Sequence, residues 1–198
     1  MAFLEPVTLR GAHVALEPLA REHEAGLKAA AADGELWRLW YTSIPAPDRT
    51  LEWIDAALDM RAKLGALPFV VREPSIDDIV GSTRYFNVDA ANRRLEIGHT
   101  WYAKRVQRTA LNTEAKLLLL THAFETLDCI AVEFRTSFFN FASREAIARL
   151  GAKQDGILRH HQLLPDGSLR DTVVFSIVAA EWSTVKRNLV WRLTHPRT

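Results

Sequence analysis

Lys104, Arg105, Gln107 and Arg108 stand in a short polar loop directly ahead of a long helical run, an order suited to holding an anion. The first backbone N–H groups of a helix have no intrahelical partner, and the dipole is positive at that end. A pyrophosphate binds well there, and the loop's cations and the Gln107 amide add to the attraction. Glu114, in the first turn, suits the dipole but repels a phosphate unless its side chain turns away. The same residues also fit a solvated basic loop capped by Asn112 or Thr113. A second set could move protons. Glu96 and His99 lie on a run that alternates Leu95, Ile97, His99 and Trp101 with Glu96, Gly98, Thr100 and Tyr102. Opposite faces of one strand keep the pair from acting together. Glu96 could work as a base through a water, or serve as a structural carboxylate paired with Arg94 or Arg84. His99, on the apolar face, reads as a hydrogen-bonded core histidine. Asn140 and Ser143 stand at N-cap and N3 spacing of a short helix. His160-His161 resemble a metal pair, but neighbouring strand residues point apart and no Cys or carboxylate stands at ligand spacing, so no metal is expected. Trp37, Trp40 and Tyr41, with Arg84, Tyr85 and Phe86, could line a pocket or a peptide groove; packing against a sheet is the competing reading.

The elements that must position these groups follow from periodicity. Val7 to Pro18 reads as strand interrupted at Arg10-Gly11, and alanine-rich Arg21 to Ala32 as a helix ending near Gly34. Thr50, as N-cap, and Gly65, as stop, bracket a second helix. The period then changes to two: Leu67 to Arg72 and Ile79 to Phe86 predict a hairpin about Pro74, and Arg94 to Tyr102 a third strand. Thr113 to Leu127 is helical, with a stripe of Leu117, Leu120, Phe124 and Leu127. Ile130 to Thr136 is a strand and Phe141 to Leu150 a helix stopped by Gly151. Gly156 to Leu164 and Leu169 to Val178 flank the Pro165–Ser168 turn, and Ala180 to Leu193 adds a last helix. The order predicts an α/β architecture with a mixed, mostly antiparallel sheet.

Composition narrows the field. The 198 residues are 48% hydrophobic and 25% charged, the balance of a soluble globular chain with a real core. A net charge of +1 gives no global case for nucleic acid or membrane. Cys129, the only cysteine, excludes an intramolecular disulfide and reads as a small buried hydrophobe. No signal peptide or membrane-spanning stretch is evident, so a cytoplasmic protein of one domain, 1–198, is expected.

Glu96-Ile97-Gly98-His99-Thr100-Trp101-Tyr102, followed by Gln107-Arg108-Thr109-Ala110-Leu111-Asn112-Thr113-Glu114-Ala115, resembles the cofactor-binding core of GNAT superfamily N-acetyltransferases. More narrowly it is similar to the RimJ/RimL-like branch, whose founding members acetylate protein N-termini. The family pattern is Gln/Arg-x-x-Gly-x-Gly/Ala; Gln107 is kept, while Ala110 and Asn112 occupy glycine positions. A left-handed backbone at Ala110 would cost roughly 1–2 kcal/mol, so the loop is either right-handed there or strained. Downstream, Asn140-Phe141-Ala142-Ser143 and Leu150-Gly151-Ala152 match the family's asparagine, small residue and Leu-Gly-Phe spacing, with Ala152 in place of the aromatic residue. The likeness runs from about Val7 to Trp182.

The resemblance implies a GNAT fold in which two strands splay apart, with the pantetheine of acetyl-CoA pairing to the Thr100–Ala103 backbone between them. It implies cofactor contacts from Thr100, Trp101 and Tyr102 and from Arg105, Gln107 and Arg108. Thr109, Ala110, Leu111, Asn112 and Thr113 at the helix start, and Asn140 with Ser143, complete the set. No metal is implied. The acceptor, a protein N-terminus or a small amine, would meet Trp37, Tyr41, Arg84 and Tyr85. The tyrosine that many members use as an acid is replaced by Ile147, which leaves Ser143 as the nearest donor, Tyr102 as an outside one, and Glu96 as the base. Ala110, Asn112 and Ile147 motivate a second reading, a weak or inactive acyl-CoA-binding sensor or regulatory paralogue. A homodimer is left open.

Overall fold

The computed structural model describes residues 3–195. Two short strands, β1 (Leu9–Arg10) and β2 (Ala15–Pro18), open the chain and precede α1 (Glu24–Ala32) and α2 (Thr50–Leu64). Then come β3 (Leu67–Glu73), β4 (Asp78–Asp89), β5 (Arg94–Tyr102), α3 (Ala110–Thr121), β6 (Ala131–Ser137), α4 (Phe141–Leu150), β7 (Lys153–Leu163), β8 (Leu169–Val178) and α5 (Trp182–Thr194). The strands form one sheet in the order β1-β2-β3-β4-β5-β6-β8-β7. Its one parallel contact is β5 on β6; the other neighbours are antiparallel. This is the mixed, mostly antiparallel α/β sheet expected from the order of elements, and it agrees with the fold that the resemblance implied.

Adjacent residues of β4 show how the layers are divided. Arg84 reaches α2, its guanidinium 5.4 Å from the Trp53 ring and Nη1 3.3 Å from Met60 Sδ. Tyr85, next in sequence, donates its hydroxyl to the Leu119 carbonyl of α3 at 2.6 Å. Consecutive strand side chains point to opposite faces, so α2 and α3 cover opposite sides of the sheet. α1 packs on α2, and α5 on α3 and α4. Leu16, Phe69, Ile97, Leu119, Phe134 and Ile177 are among the fully buried side chains, each contributing about 1.5–3 kcal/mol relative to exposure.

The feature that positions the site is a fork. β5 pairs with β6 only over Arg94↔Ala131, Leu95↔Val132 and Glu96↔Glu133. Beyond Glu96, β5 stays with β4 as far as Tyr102, while β6 stays with β8 as far as Ser137. The two inner edges therefore diverge without a strand between them, the splay that the resemblance implied.

Several boundaries differ from the sequence reading. α3 begins at Ala110, not Thr113, and its cap is Thr109, whose Oγ1 accepts the Leu111 N–H at 3.3 Å. Ala110 and Asn112 are helical, and the left-handed residue is Arg108 (φ +64°). The strain feared at the replaced glycines thus lies one residue before the cap. The α-helix ends at Thr121 and closes with a π-turn, His122–Thr126; its buried stripe runs Leu111, Ala115, Leu119 and Leu120, leaving Leu117 only half-buried. Thr50 is no cap, because its hydroxyl points back to the Pro47 carbonyl at 3.0 Å. Gly65 (φ +66°) and Gly151 (φ +105°) do end α2 and α4 in the left-handed conformation that glycine adopts at least cost.

Candidate active site

The fork opens into a cavity of about 490 Å³ lined from both faces of the sheet. On the α3 side it meets Tyr102, Asn112 and Lys116, and from α4 Asn140, Ser143 and Ile147. On the α2 side it meets Glu96, His99, Phe86, Arg135 and Arg170, with Leu36, Tyr41 and Ile44 from the segment between α1 and α2.

Glu96 stands at the closed end of the fork, as the last paired residue, and is 3% exposed. Its Oε2 accepts from Asn87 Nδ2 at 2.9 Å and lies 3.4 Å from Arg135 Nε. Burial raises its pKa from 4.5 to about 7, against the lowering by Asn87 and Arg135. The arginine partner is neither of those expected: Arg94 bonds Glu133 at 2.5 Å, and Arg84 is held in the α2 layer.

The alternation along β5 fails at His99. Its φ of +48° marks a bulge, and the register to β4 shifts there, from Arg84↔Gly98 to Ser82↔Trp101. Trp101 consequently shares the Glu96 face, edge-on to Trp53 at 5.9 Å, instead of lying with Leu95 and Ile97. His99 turns from the expected core to the cavity wall, edge-on to Phe86 at 4.8 Å. Burial first, then the charges of Arg84 and Arg170, push its pKa down to about 4, so it is neutral at neutral pH.

The α3 side carries a group that the sequence reading missed. Lys116 is buried, its Nζ donates to Thr100 Oγ1 at 2.9 Å, and burial lowers its pKa to about 7. Asn112 precedes it by one helical turn, a spacing that could have flagged it. Asn112 Oδ1 and the Tyr102 hydroxyl are both buried without a partner. Burial raises the Tyr102 pKa well above its ordinary value, so it stays protonated. Asn140 Oδ1 accepts the Ser143 N–H at 3.1 Å and so caps α4, while both residues also line the cavity.

The basic loop is used differently from the expectation. Gln107 lines the cavity but its Nε2 donates to the Tyr102 carbonyl at 3.0 Å, tying loop to strand. Arg105 is committed outside the cavity, to Asp78 at 3.0 Å and Asp33 at 3.5 Å. Arg108 is exposed and, with Thr109, Ala110, Leu111 and Thr113, lies off the cavity lining; Leu111 belongs to the core. Glu114 does turn away, accepting the Ala12 N–H at 3.0 Å and the His13 N–H at 2.5 Å.

On the acceptor side, Tyr41 lines the cavity as expected, whereas Trp37, Arg84 and Tyr85 do not. Trp37 is half-buried beneath Arg38, and Arg84 and Tyr85 are consumed by opposite layers of the core. Arg135, Arg170, His161 and Gln162 were not anticipated as a group. A bulge in β7, with His160 left-handed (φ +49°), turns His160 outward and leaves His161 on the cavity, its Nδ1 3.1 Å from Thr172 Oγ1. Among the described residues no cluster of three metal-type side chains occurs, and no helix is long and apolar enough to cross a membrane.

Residues 13–153 match the acetyltransferase (GNAT) domain family. The chain belongs to the GNAT acetyltransferase family. A Bacillus subtilis (strain 168) protein named as a candidate ribosomal N-acetyltransferase, YdaF, is 32% identical over 108 residues, 54% of this chain and 58% of that relative's length. A candidate acetyltransferase from T. thermophilus shares 34% identity and superimposes with a TM-score of 0.82 over 96% of this chain and 98% of its own. Mycobacterium smegmatis RimJ, solved with CoA-disulfide, shares the fold at 24% identity, with a TM-score of 0.76 over 94% of this chain and 93% of its own. The domain match makes this chain a GNAT acetyltransferase, the RimJ structure adds the shared fold, and the chain spans little more than half the length of the curated relative it matches.

Proposed function

We propose that this enzyme transfers the acetyl group of acetyl-CoA directly to a primary amine, a protein N-terminus or a small amine. The observation that carries this is the β5–β6 fork with a cavity lined from both faces, which lets a thioester and an amine meet from opposite sides of one sheet. The residues fit the cosubstrate. Asn112 Oδ1 and the Tyr102 hydroxyl are buried polar atoms without protein partners, the condition that a ligand's polar groups relieve. Acetyl-CoA supplies an activated acyl carbon and a thiolate leaving group. In the transfer an N–C bond forms, the C–S bond breaks, and the ammonium proton leaves for a base.

Glu96, with its pKa of about 7, is half ionised at neutral pH and takes that proton directly or through a water. Its pKa lies close to the pH at which it must work, which favours both its ionised fraction and its basicity. Ser143 presents a hydroxyl that hydrogen-bonds the departing thiolate, and protonated Tyr102 is a second donor in the same cavity. Cys129 takes no part: it is buried off the cavity and its thiol is pushed up to about 11, which disfavours an acyl-cysteine intermediate. Proximity across the fork supplies the rest of the acceleration.

A thiol-release assay with acetyl-CoA and a panel of amines and short peptides tests the proposal. Amine-dependent release of CoA is expected. Release no faster than hydrolysis with every acceptor sinks it. The sensor reading would then be favoured, since apolar Ile147 lines the cavity where an acid would stand.

A further inference from the structure

Arg170 stands near the start of β8 and lines the acceptor half of the cavity. The register places its face: Thr172 lies opposite Ser137 and Val174 opposite Arg135, so Arg170, two residues before Thr172, projects on the side of Arg135 and Glu96. The two arginines are not equivalent. Arg135 is already bound, with Nη2 3.0 Å from Glu133 Oε2 and Nε 3.4 Å from Glu96 Oε2. Arg170 bonds only a neutral group, Gln162 Oε1, at 3.0 Å. Its Nε is buried without a partner, and among the described residues no carboxylate lies within salt-bridge distance of it. Burial lowers its pKa, the mark of a desolvated charge lacking its counter-ion, and Glu96 is the acid whose charge still reaches it.

Resting on the acetyl-transfer reading, we infer that Arg170 binds a carboxylate on the acceptor, so that the substrate is an amine carrying an acidic group a few atoms away. The amine lies toward Glu96 and the carboxylate toward the guanidinium. The planar fork of arginine suits two-point binding of a carboxylate; the Gln162 amide stands beside it, and His161 lines the same cavity. The carboxylate can be the α-carboxylate of a free amino acid or an acidic side chain near a peptide's N-terminus. Both present the same chemistry.

The experiment uses matched acceptors: alanine against alaninamide, and an alanyl-aspartyl peptide amide against its alanyl-asparaginyl counterpart. Thiol release is measured for each, and binding to the CoA-loaded enzyme is measured by calorimetry. The acidic member of at least one pair is expected to be favoured by about 10- to 100-fold in kcat/KM, through KM. The pair that shows the preference identifies the source of the carboxylate. Arg170→Gln is expected to erase the preference and Arg170→Lys to keep part of it. Equal use of acid and amide in both pairs, or a preference that survives in Arg170→Gln, overturns the inference while leaving acetyl transfer standing. If no acceptor turns over, calorimetry decides: acid-selective binding lost in Arg170→Gln upholds the subsite, and its absence overturns it.

Discussion

The two sides of the β5–β6 fork are built in different ways. The α3 side draws on one nearly contiguous stretch, Thr100 to Lys116, with Asn140 and Ser143 added from α4. The α2 side collects Tyr41, Phe86, Glu96, Arg135, His161 and Arg170 from six separate segments. Their electrostatics differ in kind as well. The α3 side buries a lysine with no carboxylate partner among the described residues, while the α2 side buries a carboxylate beside arginines. On the proposed reading, the first is the cosubstrate half, encoded in nearly consecutive residues, and the second the acceptor half, gathered from segments far apart in the chain.

The largest expected effect is on the acceptor side. Glu96→Gln should lower kcat/KM by about 10²- to 10⁴-fold and remove the rise in rate as pH passes through about 7. A pH–rate profile for the variant that still shows this rise would assign the base elsewhere. On the opposite side, Lys116→Met should weaken CoA binding yet stabilise the ligand-free protein by roughly 1 kcal/mol or more, since it removes an uncompensated buried charge. Denaturant titrations with and without CoA would measure both changes.

Those two residues also pull stability in opposite directions with pH. Glu96 binds its proton more tightly folded than unfolded, so its contribution is present at low pH and is lost as pH rises from 4.5 to about 7. Lys116 binds its proton less tightly folded, so its contribution is present above 10.5 and is lost as pH falls to about 7. The ligand-free protein should therefore show a local dip in stability near neutrality. Glu96→Gln should flatten the acid flank and Lys116→Met the alkaline one; a wild-type curve without a dip would break the comparison.

Smaller effects sharpen the boundary of the site. Asn140→Ala removes the cap of α4 and should cost about 1 kcal/mol of stability. A loss of CoA affinity beyond that of other equally destabilised variants would show that the residue also touches the ligand. Tyr85→Phe should cost about 1 kcal/mol through the lost bond to Leu119 and leave KM for any acceptor unchanged. A shifted KM would return Tyr85 to the substrate wall.

Local sequence was a good guide where neighbours in the chain are neighbours in space. The span of β5 and α4, the glycine stops of α2 and α4, and the strand–loop–helix order of the cosubstrate side were all legible, because period-two and period-3.6 patterns and caps are short-range physics. Reading failed where one residue alters the register. A bulge at His99 moved Trp101 to the other face and leaves no compositional trace, whereas the parting of His160 from His161 was expected of strand neighbours. Arg84 and Tyr85 were expected on the acceptor wall because the resemblance implied it. Only the packing of α2 and α3 against opposite faces showed that both are consumed by the core.

The sequence by itself determined the family, the α/β order of elements and the strand–loop–helix run from β5 into α3, since each is written in contiguous residues. Tertiary structure alone decided which arginine stands beside Glu96, that Lys116 is buried on the cavity, and that Arg170 has no salt-bridge partner among the described residues. The reason is physical: burial and pairing are properties of what folds against a side chain, and those partners lie tens of residues away along the chain.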